Sequence, residues 1–165
     1  MRLWIVRHAI AADAGPPSWS DSDRALTAEG RAEFRGLARH LATRNRTVDA
    51  ILTSPLVRAR QTAMILAEEM GLPPRGVEVT DLLRPGFDLE RLVRHLATLD
   101  EGTVAVVGHQ PDLGFAASQL VAGGQFAFGK GHIASLRFDN GVRIGQASLS
   151  WFVGPEIAEP IPDRD

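Results

Sequence analysis

Leu3-Trp4-Ile5-Val6-Arg7-His8 is a short apolar run that delivers an arginine and a histidine close to the start of the chain. Its nearly continuous apolar character suits a strand covered on both faces of a parallel sheet, where a half-exposed strand would alternate. Ala50-Ile51-Leu52 and Thr103-Val104-Ala105-Val106-Val107 read as two more strands. The last of these ends on Gly108-His109, repeating the first design, and Ser54-Pro55-Leu56-Val57-Arg58-Ala59 places a second arginine just beyond the middle strand.

Helical patterns lie between these strands. Thr27 stands as an N-cap, and Phe34, Leu37, Ala38 and Leu41 follow at three-and-four spacing, which predicts a helix over 27–43. Ala59, Thr62, Ala63, Leu66 and Met70 share one helical face that stops at Gly71. Asp88 can cap a third helix with Leu89, Leu92, Val93, Leu96 and Leu99 on its apolar side, and Pro111 suits the first turn of a fourth over 113–121. Strands alternating with helices indicate an α/β domain with a mostly parallel central sheet. The ending differs, because Ile133–Phe138, Asn140-Gly141 and Val142–Phe152 read as a strand, a tight turn and a returning strand. Antiparallel C-terminal strands are therefore expected beside the parallel core. The domain is expected to span 1–153, with 154–165 as a proline-containing acidic surface tail.

Composition narrows the function classes. At 165 residues, 44% hydrophobic and 23% charged, the chain matches one soluble globular domain. A net charge of −2 lacks the basic balance of a general nucleic-acid binder. There is no cysteine, which removes disulfides, thiolate metal sites and a cysteine nucleophile together. No run approaches the roughly 20 apolar residues of a membrane span, and the amino end lacks a signal-peptide core, so a cytoplasmic protein with no membrane partner is expected.

In open α/β sheets ligands collect outside the carboxyl ends of the strands, where Arg7, His8 and His109 stand. Arg58 falls in the first turn of the following helix, where free backbone N–H groups also favour anions. Two guanidinium groups can grip the oxygens of a phosphoryl group. A neutral imidazole can attack phosphorus while a second, protonated one donates to a non-bridging oxygen. His8 is read as the nucleophile and His109 as the donor, with Arg7, Arg58 and His109 binding phosphate. Phosphoryl transfer rests on positioning and electrostatics, so no metal or cofactor is expected.

Four stretches together resemble the histidine phosphatase superfamily, and within it the small SixA-type branch of phosphohistidine phosphatases. They are Leu3-Trp-Ile-Val-Arg-His-Ala9, Arg24-Ala-Leu-Thr-Ala-Glu-Gly30, Leu52-Thr-Ser-Pro-Leu-Val-Arg-Ala-Arg-Gln-Thr-Ala63 and Val106-Val-Gly-His-Gln-Pro111. The resemblance runs from Met1 to about Trp151 and implies a three-layer α/β/α, phosphoglycerate mutase-like fold and a phosphohistidine intermediate. Its pattern maps onto Arg7, His8, Arg58 and His109, the residues already reached by position. Arg60 reads as a surface charge and Arg24 as a loop anchor.

Departures from the superfamily bear on substrate. Ala9, Ala11 and Ala12 stand where sugar-phosphate members often carry glycine and polar groups, and the short stretch from His8 to Thr27 leaves no room for a cap. An open, shallow pocket and a phosphohistidine-containing protein partner are expected. A small phosphoester, such as a sugar phosphate or nucleotide, and a non-catalytic phosphate-recognition module are the alternatives. Asp88 is the nearest candidate general acid by position, with Glu78 and Asp81 behind it, although Asp88 reads first as a helix cap. His40 and His95 are expected on solvent-facing helix surfaces, while His132 can rim the pocket. A zinc site on His8 and His109 would lack further ligands and would be opposed by Arg7.

Overall fold

Strand β1 (Arg2–Arg7) lies inside the sheet, because Leu3, Trp4, Ile5 and Val6 leave neither face fit for water. The computed structural model describes residues 1–13, 15, 20–99 and 102–163. The elements that follow are α1 (Ala28–Ala42), β2 (Ala50–Thr53), α2 (Val57–Met70), β3 (Val77–Val79), α3 (Leu89–Leu96), β4 (Thr103–Gly108), α4 (Asp112–Leu120), β5 (Ile133–Arg137) and β6 (Ser148–Val153). The sheet order is β3-β2-β4-β1-β5-β6. β3, β2, β4 and β1 run parallel, whereas β5 is antiparallel to both β1 and β6.

The sheet separates two apolar layers, giving the α/β/α sandwich. Trp4 and Val6 face Phe34, Leu37 and Leu41 of α1 and Ala59, Ala63 and Leu66 of α2. Leu3 and Ile5 face the opposite layer, with Leu92 and Leu96 of α3 and Leu113, Ala117 and Leu120 of α4. Trp4 also meets Trp151 of β6 edge to face, with ring centroids 5.0 Å apart.

Helix ends follow local chemistry. Thr27 accepts the Gly30 amide at 2.9 Å, a cap worth about 1 kcal/mol, and α2 stops at Gly71, whose φ of 67° suits a residue without Cβ. Asp88 Oδ1 caps α3 by accepting the Glu90 and Arg91 amides. Pro111 is the N-cap of α4, one position ahead of its expected place. Among the described residues no helix is long and apolar enough to cross a membrane.

Three differences from the sequence reading have physical reasons. β3 was not expected, because Val77-Glu78-Val79 is too short to show a period and pairs only with β2 at the sheet edge. The Asn140-Gly141 turn does not close a tight hairpin, and β6 begins at Ser148. Val142 is buried against the α4 layer, and the Gly145 and Ala147 amides donate to Gln119 and Leu120 carbonyls, so the connection is drawn away from the strands. Finally, the acidic tail docks on α1. The Ile161 amide donates to the Ala32 carbonyl at 2.9 Å, and Asp163 pairs with Arg31 at 2.6 Å and also with Arg35. Its last two residues, Arg164 and Asp165, lie outside the described residues.

Gly36 of α1 permits this docking, since a Cβ there would run into the Glu159 carbonyl oxygen. Gly36→Ala is expected to displace the tail, at a cost of about 1–3 kcal/mol. Hydrogen exchange reads the outcome: the Ile161 amide should lose protection while β1 and β4 keep theirs, and unchanged protection at Ile161 would contradict the docking.

Candidate active site

The parallel pairing of β1 with β4 sets Arg7 opposite Gly108, so the residues that follow, His8 and His109, leave the sheet side by side. The His8 amide donates to the Gly108 carbonyl at 3.1 Å, and the two ring centroids are 5.3 Å apart. From β1 the chain passes toward β2, and from β4 toward β5, with α1 and α4 on opposite faces. A crevice at the carboxyl ends of neighbouring strands results. The Ser54 amide donates to the Val107 carbonyl at 3.0 Å, which fixes the start of α2 and hence Arg58 against the same edge.

Each of the four side chains is held by one part and, among the described residues, left without a partner at another. The His8 Nδ1 lies 2.8 Å from the Ala9 carbonyl, which can only accept, so Nδ1 carries the proton and Nε2 keeps its lone pair. His109 places Nε2 2.8 Å from Ser54 Oγ, while its buried Nδ1 has no partner. Arg7 donates from Nη1 to the Phe128 carbonyl at 2.6 Å, and its buried Nε is unpaired. Arg58 donates from Nη1 to the Asp21 carbonyl at 2.7 Å and from Nη2 to Asp21 Oδ2 at 3.0 Å, and its buried Nε is likewise unpaired. Buried polar atoms are seldom left without partners, so three of them beside one nucleophilic lone pair describe a place for an anion.

Burial sets the protonation of both rings. His8 is pushed down to about 3, first by burial and then by the charges of His109, Arg58 and Arg7, against the Ala9 hydrogen bond. His109 is pushed down to about 4, chiefly by burial and then by Arg58, with Asp112 and Asp21 opposing. His109, expected as a protonated donor, is therefore neutral at pH 7 in the empty site.

The sequence reading missed Asp21. A 3₁₀ turn, Asp21–Asp23, brings it to Arg58, and Arg24 completes the arrangement by donating to Asp21 Oδ1 at 2.8 Å and to the Ala12 carbonyl at 3.0 Å. Partial desolvation raises the Asp21 carboxyl, but the hydrogen bonds and charges of Arg58, then Arg24, outweigh it and hold it below the usual carboxylate range. The three-residue spacing of Asp21 and Arg24 was the available signal. His8 and Arg58 are only 7% and 4% exposed.

The remaining candidates lie elsewhere. Asp88 is engaged as the α3 cap, Asp81 pairs with Arg84 at 2.6 Å, and Glu78 is exposed on the edge strand. His132 contributes backbone to the site, accepting the Arg7 amide, while its ring packs on Phe152 and faces Glu156 at 3.6 Å. His95 is half-buried with Nε2 covered, whereas solvent exposure was expected. Among the described residues no three His, Asp or Glu side chains gather as metal ligands.

A sandwich of this topology, with two arginines and two histidines at the carboxyl edge of its parallel strands, defines a phosphoryl-handling α/β protein. The sequence profile of the histidine phosphatase superfamily (branch 1) matches residues 3–84. Phosphohistidine phosphatase SixA of Escherichia coli is 31% identical over 159 residues, covering 94% of each chain. An uncharacterised protein of Picosynechococcus sp. is 37% identical over 164 residues, covering 95% of this chain and 93% of its own. Among solved structures, the protein histidine phosphatase SixA complexed with tungstate superimposes with a TM-score of 0.85 at 29% identity, covering 95% of this chain and 99% of that one. The chain belongs to the histidine phosphatase superfamily, as a SixA-type member, and its fold is that of the family.

Both rings titrate near 6.5 in the unfolded chain, which therefore binds protons that the folded chain refuses until about pH 3 and 4. Stability is fully present above about pH 6.5 and is lost as the pH falls through the folded values. In an NMR titration neither His8 nor His109 should show a midpoint near 6.5, and a ring that does so is not the buried neutral group described.

Proposed function

We propose that this protein is a cofactor-independent phosphatase that removes the phosphoryl group from a phosphohistidine side chain of a partner protein, through a covalent intermediate on His8. The observation that carries the reading is the His8 tautomer, which leaves Nε2 unprotonated on a ring 5.3 Å from that of His109 and near enough to Arg58 and Arg7 to feel their charges. The similarity to phosphohistidine phosphatase SixA, and to a solved protein histidine phosphatase SixA complexed with tungstate, an oxyanion shaped like phosphate, supports a phosphoryl substrate.

In the first step the Nε2 lone pair forms a bond to phosphorus as the P–N bond of the substrate breaks, and that electron pair returns to the departing imidazole nitrogen. Arg7 and Arg58 hold the non-bridging oxygens, and His109 donates from Nδ1 as charge builds on them. Water then forms a bond to phosphorus, the P–Nε2 bond returns its pair to His8, and the water proton leaves with inorganic phosphate or solvent. His8 Nδ1 keeps its proton throughout, donating it to the Ala9 carbonyl.

An imidazole whose other nitrogen is protonated leaves as a neutral molecule and needs no proton from the enzyme. An alkoxide needs one, a contribution of about 10²- to 10⁴-fold. Asp88, Asp81 and Glu78 each have other employment or an exposed position, which favours the P–N substrate over a small phosphoester.

Incubation with a protein phosphorylated on histidine should label His8 transiently and release phosphate, while His8→Ala should abolish both. Arg58→Ala should lower turnover by about 10²-fold or more and weaken vanadate binding. Asp88→Asn should leave turnover on phosphohistidine within about twofold. A preference for a sugar phosphate or nucleotide that disappears in Asp88→Asn would replace this substrate assignment, and persistent turnover by His8→Ala would end the mechanism.

A further inference from the structure

Ser54 directly follows β2, is fully buried, and has no part in the phosphate grip described above. Its amide is fixed to the Val107 carbonyl, which delivers the hydroxyl alongside the residue that follows β4. Oγ lies 2.8 Å from His109 Nε2 and 3.4 Å from the Leu56 amide. The Leu56 N–H can only donate, so it occupies one lone pair of Oγ. The hydroxyl proton then has His109 Nε2 as its acceptor among the described residues.

One of the two tautomers leaves fewer buried groups without a partner than the other. With the proton on Nδ1, the neutral His109 ring accepts from Ser54 through Nε2 and offers Nδ1–H at its opposite edge. With the proton on Nε2, two donors would point at Ser54, its own proton would be buried without an acceptor, and a lone pair on Nδ1 would face the phosphoryl oxygens. Nδ1 is buried and has no partner among the described residues, so it is available to donate.

We propose that Ser54 is a positioning residue that holds His109 in its Nδ1–H tautomer, so that a neutral imidazole donates to a non-bridging oxygen of the transferred group. The role rests on the phosphoryl-transfer reading above for its purpose, although the tautomer itself does not. A neutral donor also suits the surroundings, because a cation at this point would be desolvated and would sit near Arg58 and Arg24. Ser54 thereby does for His109 what the Ala9 carbonyl does for His8: each second partner selects which nitrogen faces the reaction.

Ser54→Ala in the full chain tests the proposal through two measurements. In histidine-labelled protein, long-range ¹H–¹⁵N correlations should show His109 as the Nδ1–H form in the parent, and a shift of population toward Nε2–H in the variant. With phosphoimidazole as a small P–N donor and rates corrected for spontaneous hydrolysis, turnover near neutral pH should fall about 10- to 100-fold. That gap should narrow as the pH falls toward the His109 value of about 4, since an imidazolium carries both protons and no longer depends on Ser54. An Nε2–H form in the parent overturns the proposal. So does a loss of turnover that is constant with pH, which would mark a structural effect through the Leu56 amide. If phosphoimidazole is not turned over at all, the phosphatase reading falls, and the tautomer measurement still decides the role of Ser54.

Discussion

The parallel pairing of β1 with β4 is the constraint on which the molecule depends. Its register sets Arg7 against Gly108, and the next residue of each strand is a histidine. A slip by one residue would send every side chain of β1 to the wrong face and would separate the two rings. The pairing resists such a slip because Trp4 and Val6 belong to one apolar layer and Leu3 and Ile5 to the other, with large partners waiting on both sides. Core packing therefore sets the distance between His8 and His109.

Around that pair, second partners decide the chemistry. Carbonyls of Ala9, Phe128 and Asp21 and the hydroxyl of Ser54 take up one part of each reactive side chain and leave another part unpaired. The result is a pocket whose donors and lone pair are oriented before any ligand arrives. A buried Arg58 and a half-buried Arg7 would carry an excess of positive charge alone, and Asp21, joined to both Arg58 and Arg24, offsets part of it.

The central strands and the four reactive residues were legible because their signals are local. Leu3–Val6 and Val104–Val107 are continuous apolar runs, and each is followed at once by its histidine. α1 was equally plain from Thr27 and its four-residue stripe. What escaped depends on groups distant in the chain. Val142 draws the β5–β6 connection onto α4, so the Asn140-Gly141 dipeptide cannot act as a tight hairpin turn. Gly36 accepts the tail only because Glu159 returns to it, and no composition of residues 154–165 announces that contact. Asp21 gains its meaning from Arg58, thirty-seven positions away. The protonation of His109 was misjudged for the same reason, since burial and the nearness of Arg58 are tertiary facts.

The place of β1 in the sheet has a consequence for how the chain comes together. Its two neighbours are β4, which begins at Thr103, and β5, which begins at Ile133. Both partners lie far along the chain from β1, and pairings of such long range are slow to close. Until then Leu3–Val6 is an unpaired apolar strand, the kind of segment that attracts other chains. His8 gains its surroundings only when those distant strands have paired.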